Sequence, residues 1–199
     1  ETFTLTVPVK NGYTFGGWYE NADLAGAPVA KIEKGSYGNR VFYAKWNKIN
    51  YTITYNLNGG QFTAPPISTY TIESETFALP VPERPGYAFA GWYESPQFEG
   101  APVASIVKGT TGNKVFYAKW EVINYQITYY TNGGTLPLGT ITTYNIESPI
   151  IYLPQPTKHG YAFTGWYTNA NLLGDKVTYI PTGSTGHKSF YAAWEYIQY

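Results

Sequence analysis

The chain has 199 residues, of which 13 are basic and 13 acidic, so its formal net charge is zero, and it contains neither Cys nor Met. That composition excludes a disulfide framework, a thiolate metal site, a Cys nucleophile and the basic footprint of a nucleic-acid binder. No apolar run reaches the roughly 20 residues of a bilayer-spanning helix, and 43% hydrophobic with only 13% charged residues is not the composition of a disordered chain.

The chain repeats itself. The segment YTFGGWY at Tyr13–Tyr19 returns as YAFAGWY at Tyr87–Tyr93 and as YAFTGWY at Tyr161–Tyr167, each 74 residues further on. The segment Phe42–Trp46 returns as Phe116–Trp120 and Phe190–Trp194, and Tyr51–Gly60 returns as Tyr125–Gly134, in the same register. The expected organisation is two complete repeats over 51–120 and 125–194. Residues 1–46 are expected to form a partial repeat without its first strands, and 195–199 the start of a further one. The reading that follows is a window on a longer tandem array, taken from an internal or processed piece.

The elements are read from the repeat at 51–120. Tyr51, Ile53, Tyr55 and Leu57 alternate with polar residues, the period of a half-buried strand. Asn58-Gly59-Gly60 then supplies the positive φ of a tight turn. A second strand is expected over Ser68–Ile72. Pro80, Pro82 and Pro85 mark a crossover that is neither helix nor central strand. A third strand covers Tyr87–Tyr93. The polar stretch Glu94–Gly100 is expected to be one helical turn or a loop. Val103 and Ile106 plug the core, and Gly109–Gly112 leads into a last strand, Lys114–Trp120. There Phe116, Ala118 and Trp120 share one face. The fold class expected is mainly β: small tandem modules of four or five strands with little helix, arranged as an elongated string.

A module of this size buries only about 60% of its unfolded surface. Its aromatic content, 19% of the chain, fits the need for large side chains in a small core. The linkers Asn47–Asn50, Glu121–Asn124 and Glu195–Gln198 lack Gly and Pro and carry Ile49, Ile123 and Ile197 in their third position. Flexible linkers are Gly/Ser-rich. These are expected to extend the last strand of one repeat towards the first of the next, with the Ile buried against a neighbouring repeat.

Together, Tyr-x-Ile-x-Tyr…Asn-Gly-Gly, Pro-x-x-x-Gly-Tyr-x-Phe-x-Gly-Trp-Tyr, Gly-Ser/Thr-x-Gly and Phe-Tyr-Ala-Lys-Trp resemble the Listeria–Bacteroides repeat, the group that includes the B repeats of internalin B. The resemblance covers the whole chain. It implies a small β-grasp-like module, secreted and displayed outside the cell, without catalytic activity. No ligand or binding residue carries over with it. The repeats here are longer than many members of the family, with extra residues around Gln61–Thr69.

Candidate sites are tested by the copies inside the chain. His159 stands where the other repeats have Asn11 and Pro85, and His187 where they have Asn39 and Asn113, so neither founds a repeated metal or catalytic site. No carboxylate stands at the same position in all three copies, and Glu73 and Glu147, which match in the two complete repeats, each stand before Ser in a strand end or turn, so no acid–base pair is expected. Neither a catalytic residue nor a cofactor is expected. Lys45 and Lys119 become Ala193, which argues against a repeated Lys–Asn crosslink. Two sets remain for recognition. Trp18, Trp92 and Trp166 form an aromatic platform if exposed and core if buried. Lys10, Arg84 and Lys158, with Arg40, Lys114 and Lys188, either meet anionic polymers or keep the surface soluble and shield strand edges.

The function expected is a non-catalytic extracellular module of a bacterial surface protein, a semi-rigid stalk that presents other domains. Its partners are neighbouring repeats. One alternative is a multivalent adhesin binding host or cell-wall glycan or protein. Another is a filament subunit that exchanges strands through the incomplete first repeat.

Overall fold

The computed structural model describes residues 1–198, so Tyr199, part of the expected start of a further repeat, lies outside the described residues. Among the described residues there are strands and turns and no α-helix. The first repeat holds β1 (Phe3–Thr4), β2 (Tyr13–Tyr19), β3 (Lys31–Ile32) and β4 (Tyr43–Lys48). The second holds β5 (Tyr51–Asn56), β6 (Thr69–Tyr70), β7 (Phe77–Ala78), β8 (Tyr87–Tyr93), β9 (Ser105–Ile106) and β10 (Lys114–Val122). The third holds β11 (Tyr125–Tyr130), β12 (Thr143–Tyr144), β13 (Ile151–Tyr152), β14 (Tyr161–Tyr167), β15 (Tyr179–Ile180) and β16 (Lys188–Tyr196).

In the third repeat the strand order is β12-β11-β16-β14, and the second repeat has the same order, β6-β5-β10-β8. The first and last strands of a repeat run parallel, with Ile127 opposite Lys188 and Tyr130 opposite Tyr191. Each complete repeat adds a two-stranded sheet, β7 with β9 and β13 with β15, whose strands come from the segments before and after the long strand β8 or β14. A first strand parallel to the last, with an antiparallel neighbour on either side, is a β-grasp-like arrangement in which no helix takes part.

The core of the third repeat gathers Ile127, Tyr144, Ile151, Trp166, Ile180, Phe190 and Ala192. In the second repeat Ile53, Tyr70, Ile106, Phe116 and Ala118 are likewise buried. The Asn-Gly turn forms as the composition requires: Asn58 and Gly59 have φ of 47° and 90°, and the Asn58 amide donates to the Ala118 carbonyl at 2.9 Å.

Two expectations are corrected. The second strand covers Thr69–Tyr70 rather than Ser68–Ile72, because Thr71–Ser74 folds into a turn. Complete repeats have six strands rather than four or five; the two-residue pairs of the crossover are too short for a period-two pattern to reveal. Of the two forms expected for the polar stretch after β8, the loop is the one observed: it is turn and bend, with Phe98 at φ 59°.

The chain divides into two compact units. One comprises Glu1–Asn58, Phe62–Pro82 and Gly91–Lys119, and the other Gly59–Gln61, Glu83–Ala90 and the chain from Trp120 onward. The division passes through β8 and β10, so each unit contains one junction between successive repeats.

Candidate functional site

The tryptophan set resolves first. In a regular strand Phe15 and Trp18, three residues apart, face opposite sides. Here the register shifts between Phe15 and Gly17, a bulge that adds one residue, and Gly17 takes φ of 113°. Both rings therefore turn inward and meet edge to face at 5.5 Å, as Phe163 and Trp166 do at 5.4 Å. Trp92 and Trp166 are 1% and 2% exposed, and Trp18 is half-buried. The indole N–H groups donate to carbonyls in the crossover: Trp18 to Thr6, Trp92 to Pro80 and Trp166 to Pro154, at 2.7–2.8 Å. As an exposed platform, the reading fails for Trp92 and Trp166, which lie in the core. Open apolar grooves of about 270 and 260 Å³ run beside Trp18 and Trp166, walled at matching positions by Leu5 and Leu153, and by Val29 and Val177.

The basic set is largely engaged within the chain. Lys10, Arg84 and Lys158 open the turns Lys10–Tyr13, Arg84–Tyr87 and Lys158–Tyr161, each closed by the N–H of the Tyr donating to the carbonyl of the basic residue at 3.1 Å. Arg84-Pro85-Gly86-Tyr87 has Pro at the second position and Gly at φ 78° at the third, the pattern of a type II turn. His159 fills the Pro85 position. The three cations sit over the tyrosine that closes their turn, at 4.1, 3.7 and 4.3 Å. Arg40 pairs with Glu20 and Lys114 with Glu94, while Lys188 faces a repeat in which that acidic position is Thr168. Such exposed pairs add little stability. His187 replaces an asparagine in a structural role, since its Nδ1 accepts the Gln126 N–H at 2.9 Å, as Asn113 Oδ1 accepts that of Thr52 at 3.0 Å.

The same Gly-Tyr turns build the junction between repeats. In Thr71-Ile72-Glu73-Ser74 the Ser74 hydroxyl accepts the Thr71 N–H at 2.9 Å and the Ser74 N–H returns to the Thr71 carbonyl at 3.0 Å. The closed turn carries Ile72 and Glu73 at its tip. Ile72 packs on Gly12 so closely that a Cβ there would lie 2.7 Å from it. The Tyr13 hydroxyl donates to Glu73 Oε1 at 2.5 Å, and the Lys48 ammonium reaches Glu73 Oε2 at 3.0 Å. The arrangement recurs 74 residues on. Ile146 covers Gly86 at the same 2.7 Å, and the Tyr87 hydroxyl donates to Glu147 Oε1 at 2.6 Å. There Asn124 and Asn145 bond at 3.1 Å, and Val122 stands in place of Lys48. The phenol's hydrogen bond, then the Lys48 ammonium, hold the Glu73 carboxyl below its ordinary value, while the Glu73 carboxylate raises Tyr13.

Ile49, Ile123 and Ile197 donate their N–H to the carbonyls of Gly12, Gly86 and Gly160 at 2.9–3.0 Å. Ile49 and Ile123 are half-buried, and Ile197 is exposed. The apolar residues inserted against the glycines are Ile72 and Ile146, which sequence reasoning passed over. The signal for them was the Ile-Glu-Ser shared by both complete repeats, read there only for its carboxylate. Among the described residues no group of three His, Asp or Glu side chains could hold a metal ion.

Fold and junctions define a class: small all-β repeats in tandem, joined turn to turn. The chain belongs to the Listeria-Bacteroides repeat domain family, which matches residues 1–45, 51–119 and 125–193. It is 32% identical over 190 residues to an Evansella cellulosilytica protein described as a Gly-rich membrane protein, covering 94% of this chain and 21% of that one. A second protein of that organism, described as a membrane protein, is 30% identical over 199 residues, 94% of this chain and 28% of its own length. Internalin H of Listeria monocytogenes is 28% identical over 115 residues, 58% of this chain and 20% of that protein. The chain thus spans under a third of the length of these relatives. No solved structure matches it.

Proposed function

We propose that the chain is a non-catalytic, extracellular segment of a bacterial surface protein, a semi-rigid spacer that sets the position of other domains. The observation that carries this is the recurrence of one junction: Gly12–Ile72 with Tyr13–Glu73, and Gly86–Ile146 with Tyr87–Glu147. A two-residue connection and a turn-to-turn lock restrict the hinge far more than a Gly/Ser linker of the same length would. Membership in this repeat family and the likeness to proteins described as membrane proteins and as an internalin support a surface location.

The test is a distance distribution across a junction, measured by spin labels on Asp23→Cys and Gln97→Cys in the otherwise intact chain. A spacer requires a narrow distribution that broadens when Glu73 is replaced by Ala. A broad distribution in the parent chain overturns the reading.

A further inference from the structure

The outer sheet face of the third repeat carries aromatic surface that the fold does not require. On β11, Ile127 belongs to the core, while Gln126, Thr128 and Tyr130 are exposed. On β16, Phe190 and Ala192 face the core, and Ser189 and Tyr191 point the other way. Tyr130 pairs with Tyr191 across the parallel ladder, and Tyr191 with Tyr167 across the antiparallel one. Three tyrosines therefore occupy one rung across three strands. The rings of Tyr130 and Tyr191 are stacked, with centroids 4.5 Å apart and planes 7° from parallel.

The second repeat is the internal control. Its ladder has the same register, with Tyr117 opposite Asn56, so the position of Tyr130 holds Asn there and the strands pair unchanged. Tyr130 is 46% exposed, a large aromatic left in water where the fold accepts a small polar residue. Stacking on Tyr191 fixes the ring in advance, so little side-chain entropy remains to be lost on binding. The pairing of β11 with β12 covers only Tyr125 and Gln126, leaving the far side of Tyr130 beyond that ladder.

The chemistry of the face selects the partner. On the same face the ladder places Thr128 opposite Ser189, two residues along from the stack, with the amide of Gln126 two residues further along β11, groups that exchange hydrogen bonds with hydroxyls. None of Gln126, Thr128, Tyr130, Ser189 and Tyr191 is charged, and over 125–198 three cations, Lys158, Lys176 and Lys188, balance three carboxylates, Glu147, Asp175 and Glu195, so the face has no net charge to attract an ionic polymer. We propose that this face binds an uncharged polysaccharide, its pyranose C–H groups lying on the electron-rich ring of Tyr130 and its hydroxyls bonding to the polar residues beside it. The site is independent of the tryptophans and of the junctions, and goes beyond the spacer reading.

The test is affinity gel electrophoresis of the whole 199-residue chain. Gels contain hydroxyethyl cellulose, a galactomannan or a mixed-linkage β-glucan, with heparin as the anionic control. At least one neutral polymer should slow the protein, and Tyr130→Asn, the residue of the sister repeat, should weaken that retardation about fivefold, the size of one aromatic contact. No retardation by any neutral polymer, retardation by heparin alone, or a folded Tyr130→Asn variant with unchanged retention overturns the proposal. If that variant does not fold, Asn56→Tyr decides: it builds the same pair in the second repeat and should increase retention, and unchanged retention sinks the idea.

Discussion

The Tyr13 phenol donates to the Glu73 carboxylate at 2.5 Å across sixty residues of chain, and Tyr87 meets Glu147 at 2.6 Å across the same interval. Both phenols lie at the surface, so the bond serves orientation more than stability. Replacing Tyr13 and Tyr87 by Phe should leave the thermal midpoint almost unchanged. The label distances across the first junction should broaden. An unchanged width would show that Ile72 on Gly12 suffices.

The apolar half of the junction can be isolated by comparing two glycines with the same backbone angle. Gly86 and Gly160 both have φ of 78°, but a Cβ on Gly86 would meet Ile146 at 2.7 Å and one on Gly160 meets nothing within 4 Å. Gly160→Ala should cost the left-handed strain alone, about 1–2 kcal/mol. Gly86→Ala should cost about 1–3 kcal/mol more for overpacking. Equal losses in chemical denaturation would mean that the junction yields freely.

Trp92 is 1% exposed and its indole donates to the Pro80 carbonyl at 2.7 Å. Trp92→Ala should destabilise the second repeat by about 3–5 kcal/mol. Trp92→Phe should cost less but still leave the half-buried Pro80 carbonyl without its donor. A loss below about 1 kcal/mol for the Ala variant would contradict the core placement.

Alkali should attack the complete repeats. Burial pushes Tyr55 and Tyr129 from 10.0 up to about 12, and their hydroxyls donate to the carbonyls of Ile67 and Ile141. A folded value above the unfolded one means that the unfolded chain releases its proton first. The contribution of these two tyrosines is intact below pH 10 and falls as pH rises towards about 12. Tyr55→Phe with Tyr129→Phe should flatten that fall in a pH series of denaturation midpoints.

Acid acts on the first junction. Glu73 lies below its ordinary 4.5, so its contribution is present above that value and is lost as pH falls through the depressed one. The label distribution across the junction should broaden only in acid below pH 4.5, and Glu73→Gln should remove the transition.

The 74-residue period and the long strands were legible because each copy restates the same period-two pattern. Six Trp in repeats this small point to the core for most of them, but which ones are buried was not legible, since that depends on a bulge that shifts every later side chain to the other face. The strands of the crossover were invisible for a different reason: two residues such as Phe77–Ala78 are too few to show alternation. The junction was half legible. Glu73 and Glu147 stood out as a matched pair, but their partners Tyr13 and Tyr87 lie in the preceding repeat, beyond the reach of any local pattern.

Every residue of the junction comes from a fixed offset inside a repeat: Gly and Tyr from one turn, Ile and Glu from another. Each complete copy therefore carries both halves of the fastening, one for its predecessor and one for its successor. In-register recombination between copies can delete or duplicate a whole repeat without requiring a compensating substitution elsewhere. Length becomes a heritable variable that changes in single steps, and the Lys48 to Val122 exchange illustrates how far individual fastenings drift while the shared pair, Tyr and Glu, is kept.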